Sequence, residues 1–125
     1  MHGYDYAVIY LVPDVALDER WAVGLALHSR TARFLGWRTA PAERFAEPVP
    51  LAAEFLAALD AVAKGGSDSG PIGLFTPSER FHWLTAPRST VVQPGPVRGG
   101  LAPASDVGLA MTFAALCRSA RVDVP

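Results

Sequence analysis

Three arginines, an indole and a row of hydroxyl groups lie close together between Arg80 and Arg98. Arg80 and Trp83 are three residues apart, so on a helix they share one face. Arg88 follows Pro87, and Ser89 and Thr90 add hydroxyls and backbone amides. Gln93 is a neutral donor and acceptor in an apolar stretch, and Arg98 closes the segment. Guanidinium forks grip carboxylate or phosphate oxygens in pairs. An indole beside them can stack a base or an aromatic side chain. Arg80, Trp83, Arg88, Ser89, Thr90, Gln93 and Arg98 are therefore the candidate binding residues. The same groups also suit a structural duty. A guanidinium can pin an irregular loop to backbone carbonyls, or pair with a carboxylate such as Glu79 or Asp106.

Catalysis has weaker support. His82 has the right pKa range for a general acid or base, and arginines could stabilise the charge of a phosphate ester in reaction. A hydrolase or nuclease-like phosphodiesterase using His82 is the alternative reading. The nearest hydroxyl nucleophiles, Ser78 and Ser89, show no Ser-His-Asp arrangement, and no catalytic residue is assigned. Asp5, Asp14, Asp18 and Glu19 could form an acidic rim, but a solvated loop is the better account of them. His2, His28 and His82 lack metal-ligand spacing, so no metal is expected. No Gly-rich segment follows a strand in a phosphate-binding pattern, and no cofactor is implied.

These residues must be positioned by a small fold. Tyr4 to Val12 alternates as a strand with Tyr6, Val8, Tyr10 and Val12 on one side and Ala7, Ile9 and Leu11 on the other. Both sides are apolar, which suits a strand covered on both faces. Arg20 to His28 is a second strand, with Trp21, Val23, Leu25 and Leu27 as its bulky side and Ala22, Gly24 and Ala26 as its smooth side. His28-Ser29-Arg30-Thr31 reads as a hairpin turn into a third strand, Ala32 to Arg38. A helical turn is expected around Glu43 to Ala46. Leu51 to Lys64 is a helix with an apolar stripe of Leu51, Phe55, Leu59 and Val62, ended by Gly65-Gly66.

Thr76-Pro77-Ser78-Glu79 is a capping box opening a short helix, which Pro87 stops. Ser89 to Gln93 is a strand, and Pro94-Gly95-Pro96 with Gly99-Gly100 is an ordered turn region. The last helix, capped by Ser105 or Asp106, carries Leu109, Phe113 and Leu116, with Cys117 beside them. The order strand-strand-strand-helix-helix-strand-helix predicts an α+β fold with a small, mainly antiparallel sheet in a single domain, residues 1–125.

Composition narrows the function classes. Half of the 125 residues are hydrophobic and 18% are charged, which excludes a disordered tail or a coiled coil. The formal net charge of −1 gives no global attraction to nucleic acid or anionic membrane. One cysteine cannot form an internal disulfide, the opening residues do not resemble a secretion signal, and no apolar run is long enough to span a membrane. A cytoplasmic protein is expected. Strand edges in a small sheet need covering, which a homodimer would do.

The segment Ser78-Glu79-Arg80-Phe81-His82-Trp83-Leu84, with Ala86-Pro87-Arg88-Ser89-Thr90 and Val92-Gln93-Pro94, resembles the hallmark of a bacterial family, domain of unknown function 3037. Tyr4-Asp5-Tyr6-Ala7-Val8, Pro13-Asp14 and Gly70-Pro71-Ile72-Gly73 are similar to it as well. The chain departs from that pattern at Ala22, where the family carries Asn. It departs again at Pro94-Gly95-Pro96-Val97-Arg98, where the family reads Pro-Ser-Pro-Val-His. The resemblance implies a small bacterial protein with a protein partner encoded nearby, such as a HipA-like kinase. The combined expectation is a non-enzymatic binding or regulatory protein, acting through a partner protein or an anionic ligand at the Arg80 to Arg98 segment.

Overall fold

The computed structural model describes residues 1–12, 20–45, 47, 49–66, 74–86, 92–105 and 107–122. In chain order, strand β1 (His2–Leu11), β2 (Trp21–Ser29) and β3 (Phe34–Thr39) are followed by a 3-10 turn (Ala42–Phe45). Helices α1 (Ala52–Lys64) and α2 (Pro77–Leu84), strands β4 (Val92–Pro94) and β5 (Arg98–Ala102), and helix α3 (Gly108–Ser119) complete the order. The sheet runs β3-β2-β1-β4, with β5 also on β1, and every pairing is antiparallel. The fold is α+β with an antiparallel sheet, as a strand meander followed by helices predicts.

Helices α1 and α2 cover one face of the sheet. Ile9, Leu11, Val23 and Ala26 meet Leu56, Leu59, Val62, Phe81 and Leu84 there. Helix α3 covers the other face, where Leu25, Leu27 and Ala102 meet Leu109, Phe113 and Cys117. Strand β1 is therefore apolar on both sides because both sides face helices. Cys117 is fully buried, as expected of a small apolar residue on this helix.

Strand β2 differs from simple alternation. Ile9 pairs with Gly24 and Tyr10 with Ala22, which leaves Val23 with no opposite residue. A bulge shifts the side-chain phase by one residue. Trp21 and Val23 consequently join Ala26 on the α1–α2 side, while Ala22 joins Leu25 and Leu27 on the α3 side. The bulky side read from the sequence is thus split between two layers. Gly24 is explained by packing: a Cβ there would meet the Trp37 ring at 3.0 Å.

Four further readings move. The segment expected to be all turn contains β5. There Arg98 lies opposite Tyr6 and Leu101 opposite Gly3, and the free edge of β1 supplies hydrogen-bond partners that glycine-rich sequence does not announce. The third strand starts at Phe34 because Arg30 to Arg33 form the turn, with Arg33 in the left-handed region at φ 52°. Leu51 is exposed, and the buried stripe of α1 is Ala52, Leu56, Leu59 and Val62. The residue before α3 is Val107, which offers no side-chain cap; the backbone carbonyl of Ser105 accepts from Gly108 instead. Asp106 lies outside the described residues.

Candidate functional site: a basic groove beside helix α2

Helix α2 begins as its sequence dictates. The Glu79 amide donates to Thr76 Oγ1 at 3.2 Å, and Glu79 Oε1 accepts from the Thr76 amide at 3.4 Å and its hydroxyl at 2.9 Å. Two amides that a helix start would leave without partners are thereby satisfied. The helix then carries Ser78, Arg80, Phe81, His82 and Trp83 in fixed directions.

Arg80 is taken up by backbone. Its Nη1 donates to the carbonyls of Ala63 at 2.6 Å and Val62 at 3.3 Å, and its Nε donates to the Phe75 carbonyl at 3.2 Å. The guanidinium thus closes the C-terminal end of α1, where carbonyls have no helical partner and cations are favoured. Trp83 is half-buried against the core on the same side of the sheet.

The other candidates lie elsewhere. Gln93 is opposite Tyr10, and Arg98 is opposite Tyr6. Directly opposed residues project from the same face, and Tyr6 packs on the α3 side. Arg80 and Trp83 are therefore separated from Gln93 and Arg98 by the sheet itself. Arg88, Ser89 and Thr90 lie outside the described residues.

A different set converges at the end of the sheet next to α2. One cavity of about 730 Å³ is bordered by His28, Arg30 and Arg33 from the β2–β3 hairpin and by the start of α2 from Thr76 to Glu79. A second, of about 720 Å³, shares His28, Arg30 and Ser78 with the first and extends past His82 and Asp5 to Gly99 on β5. The shared lining makes them two lobes of one groove. Asp5 enters because it pairs with His28 across the β1–β2 ladder.

His28 is the buried member, 8% exposed, with its ring stacked on Phe81 at 5.5 Å between centroids. Burial pushes its pKa below the ordinary 6.5. Asp5 opposes that shift, while Arg30 and the neighbouring His82 ring add to it. His28 is therefore neutral at pH 7, with one ring nitrogen able to donate and the other to accept. Arg30 and His82 stand exposed at the rim. The arrangement can recognise an anion through arginine, and it can move a proton through imidazole.

The sequence marked His28 to Thr31 only as a turn. Its role at the groove depends on α2 packing over β2, which no local pattern reveals. Among the described residues, no three of His, Cys, Asp and Glu gather in a way that could hold a metal ion. No helix among them is long and apolar enough to cross a membrane.

No curated protein and no solved structure matches this chain. A family model does, over residues 6–117, a span that runs from within β1 through nearly all of α3 and leaves Gly3, Tyr4 and Asp5 of the groove outside it. The chain belongs to the family described as Protein of unknown function (DUF3037).

Proposed function

We propose that this protein acts by binding, and that the groove between the β2–β3 hairpin and α2 receives an anionic group of its ligand. The observation that carries this reading is Arg30. Its side chain lines both lobes, yet makes no hydrogen bond or ion pair among the described residues. Arg33 borders the first lobe from the other end of the same turn. Arg80, by contrast, already has carbonyl partners, so the binding function moves from the Arg80 to Arg98 segment to the face that α2 presents. The anion would come from a phosphorylated small molecule or from a phosphate or carboxylate on a partner protein.

Calorimetric titration with inorganic phosphate and a panel of phosphorylated metabolites, alongside affinity capture of partner proteins, tests the proposal. Arg30→Ala is expected to weaken binding about tenfold, the scale of one charge-assisted hydrogen bond. A folded Arg30→Ala/Arg33→Ala double variant that keeps wild-type affinity for every ligand and partner would overturn it.

A second reading, hydrolysis of a phosphate ester, is favoured by one observation: Asp5, His28, His82 and Ser78 border a single lobe. A neutral histidine can accept a proton from water or a hydroxyl. Turnover of bis(4-nitrophenyl) phosphate that disappears in His82→Ala at unchanged melting temperature supports this reading. Absence of turnover by the wild-type protein removes it.

A further inference from the structure

We infer that a second ligand site lies on the opposite face of the sheet, and that it takes an aromatic molecule bearing an anionic group. Tyr6, Val8 and Tyr10 follow one another at alternate positions of β1, on the side that faces α3. Helix α3 does not close over all of them. A hollow of about 350 Å³ remains, walled by Leu116 from the last turns of α3 and floored by the two tyrosines and Val8. That volume lies within the range of small-molecule sites, roughly 300–1,000 Å³.

Arginine stands at each end of the hollow. Arg98 is directly opposite Tyr6 across the β1–β5 ladder. The Arg20 guanidinium lies over the Tyr10 ring, 5.3 Å from its centroid. Four residues of extended chain separate the two tyrosines by roughly 13 Å, so a ring seated over Val8 has one guanidinium within reach on either side. Among the described residues, no acidic side chain borders the hollow. Neither arginine makes a hydrogen bond or ion pair among the described residues. Two guanidinium groups beside an aromatic floor suit a ligand that brings both negative charge and a flat apolar surface.

The C-terminal end of α3 carries the negative pole of its helix dipole, which disfavours an anion. Here the final carbonyls are already occupied. Leu116, Cys117 and Arg118 accept from the amides of Ala120, Val122 and Arg121 at 2.9, 3.0 and 3.1 Å. Arg20 and Arg98 are the charged side chains in the described lining of the hollow. Among the described residues, the hollow shares no lining residue with the groove beside α2, so this inference stands or falls apart from the function proposed there.

Titration of the full chain with 1-naphthyl phosphate, followed by calorimetry and by ligand-observed NMR, tests the site. Inorganic phosphate and 1-naphthol serve as the charge alone and the ring alone. Saturable binding of 1-naphthyl phosphate is expected, at least tenfold tighter than either half. Arg20→Gln and Arg98→Gln are each expected to weaken it about tenfold. Three results would overturn the inference: no saturation, phosphate binding as tightly as the naphthyl ester once Arg30→Ala/Arg33→Ala has disabled the groove beside α2, or wild-type affinity in an Arg20→Gln/Arg98→Gln variant with unchanged melting.

Discussion

At the scale of single residues, His28 couples the groove to pH. Burial against Phe81, with His82 and Arg30 nearby, disfavours its protonation, and Asp5 offsets this only in part. The sign follows from which state binds the proton. As pH falls below about 6.5, the unfolded chain protonates His28 while the folded chain does not, so stability declines. Above that pH both states are neutral and the residue contributes no slope. Urea unfolding between pH 7.5 and 5.5 should show this decline in the wild type, and His28→Gln should flatten it. Equal slopes in the two proteins would mean that His28 is not held neutral by the fold.

Among elements, α2 is the one that organises the candidate site. It starts by its own capping box and is then fastened to α1 through Arg80, whose acceptors lie 17 and 18 residues earlier in the chain. Removing the guanidinium leaves carbonyls at the end of α1 without partners. Arg80→Met keeps the apolar stem and should lower stability by about 1–2 kcal/mol, since hydrogen bonds from a charged donor that is partly exposed fall near the lower end of their range. Arg80→Lys should restore only part of that loss, because an ammonium lacks the planar fork that spans separate carbonyls. Chemical denaturation of the three proteins gives the comparison. Lysine matching arginine would show that charge near the helix end, and not the fork, fastens the two helices.

On the scale of the whole molecule, one sheet serves two cores. All three tryptophans, Trp21, Trp37 and Trp83, pack on the α1–α2 side, so indole fluorescence reports that layer, whereas far-ultraviolet dichroism reports every helix. Strands β1 and β2 contribute side chains to both layers, so loss of either core should unfold the other. Leu59→Ala and Phe113→Ala, on opposite sides of the sheet, should each cost about 2–5 kcal/mol. In both variants the fluorescence and dichroism transitions should coincide. A Phe113→Ala protein that loses helical signal before its fluorescence changes would show that the α3 layer melts independently.

What the sequence determined by itself is local. The α+β order, the start of α2 at Thr76-Pro77-Ser78-Glu79, the stripe of α3 and the two-sided burial of β1 all follow from capping chemistry and periodicity within a few residues. The tertiary structure decided the rest, because each remaining feature depends on a partner distant in the chain. The bulge that shifts β2 at Val23 exists only in register with Ile9 and Tyr10. Strand β5 exists because the edge of β1 satisfies its amides and carbonyls. The arginines that stood together in the sequence are parted by the sheet: Arg80 turns toward the carbonyls of α1, and Arg98 emerges on the side of α3. The groove beside α2 was legible only as scattered residues, since His28, Arg30 and His82 become neighbours when a helix docks across a hairpin far from it in sequence.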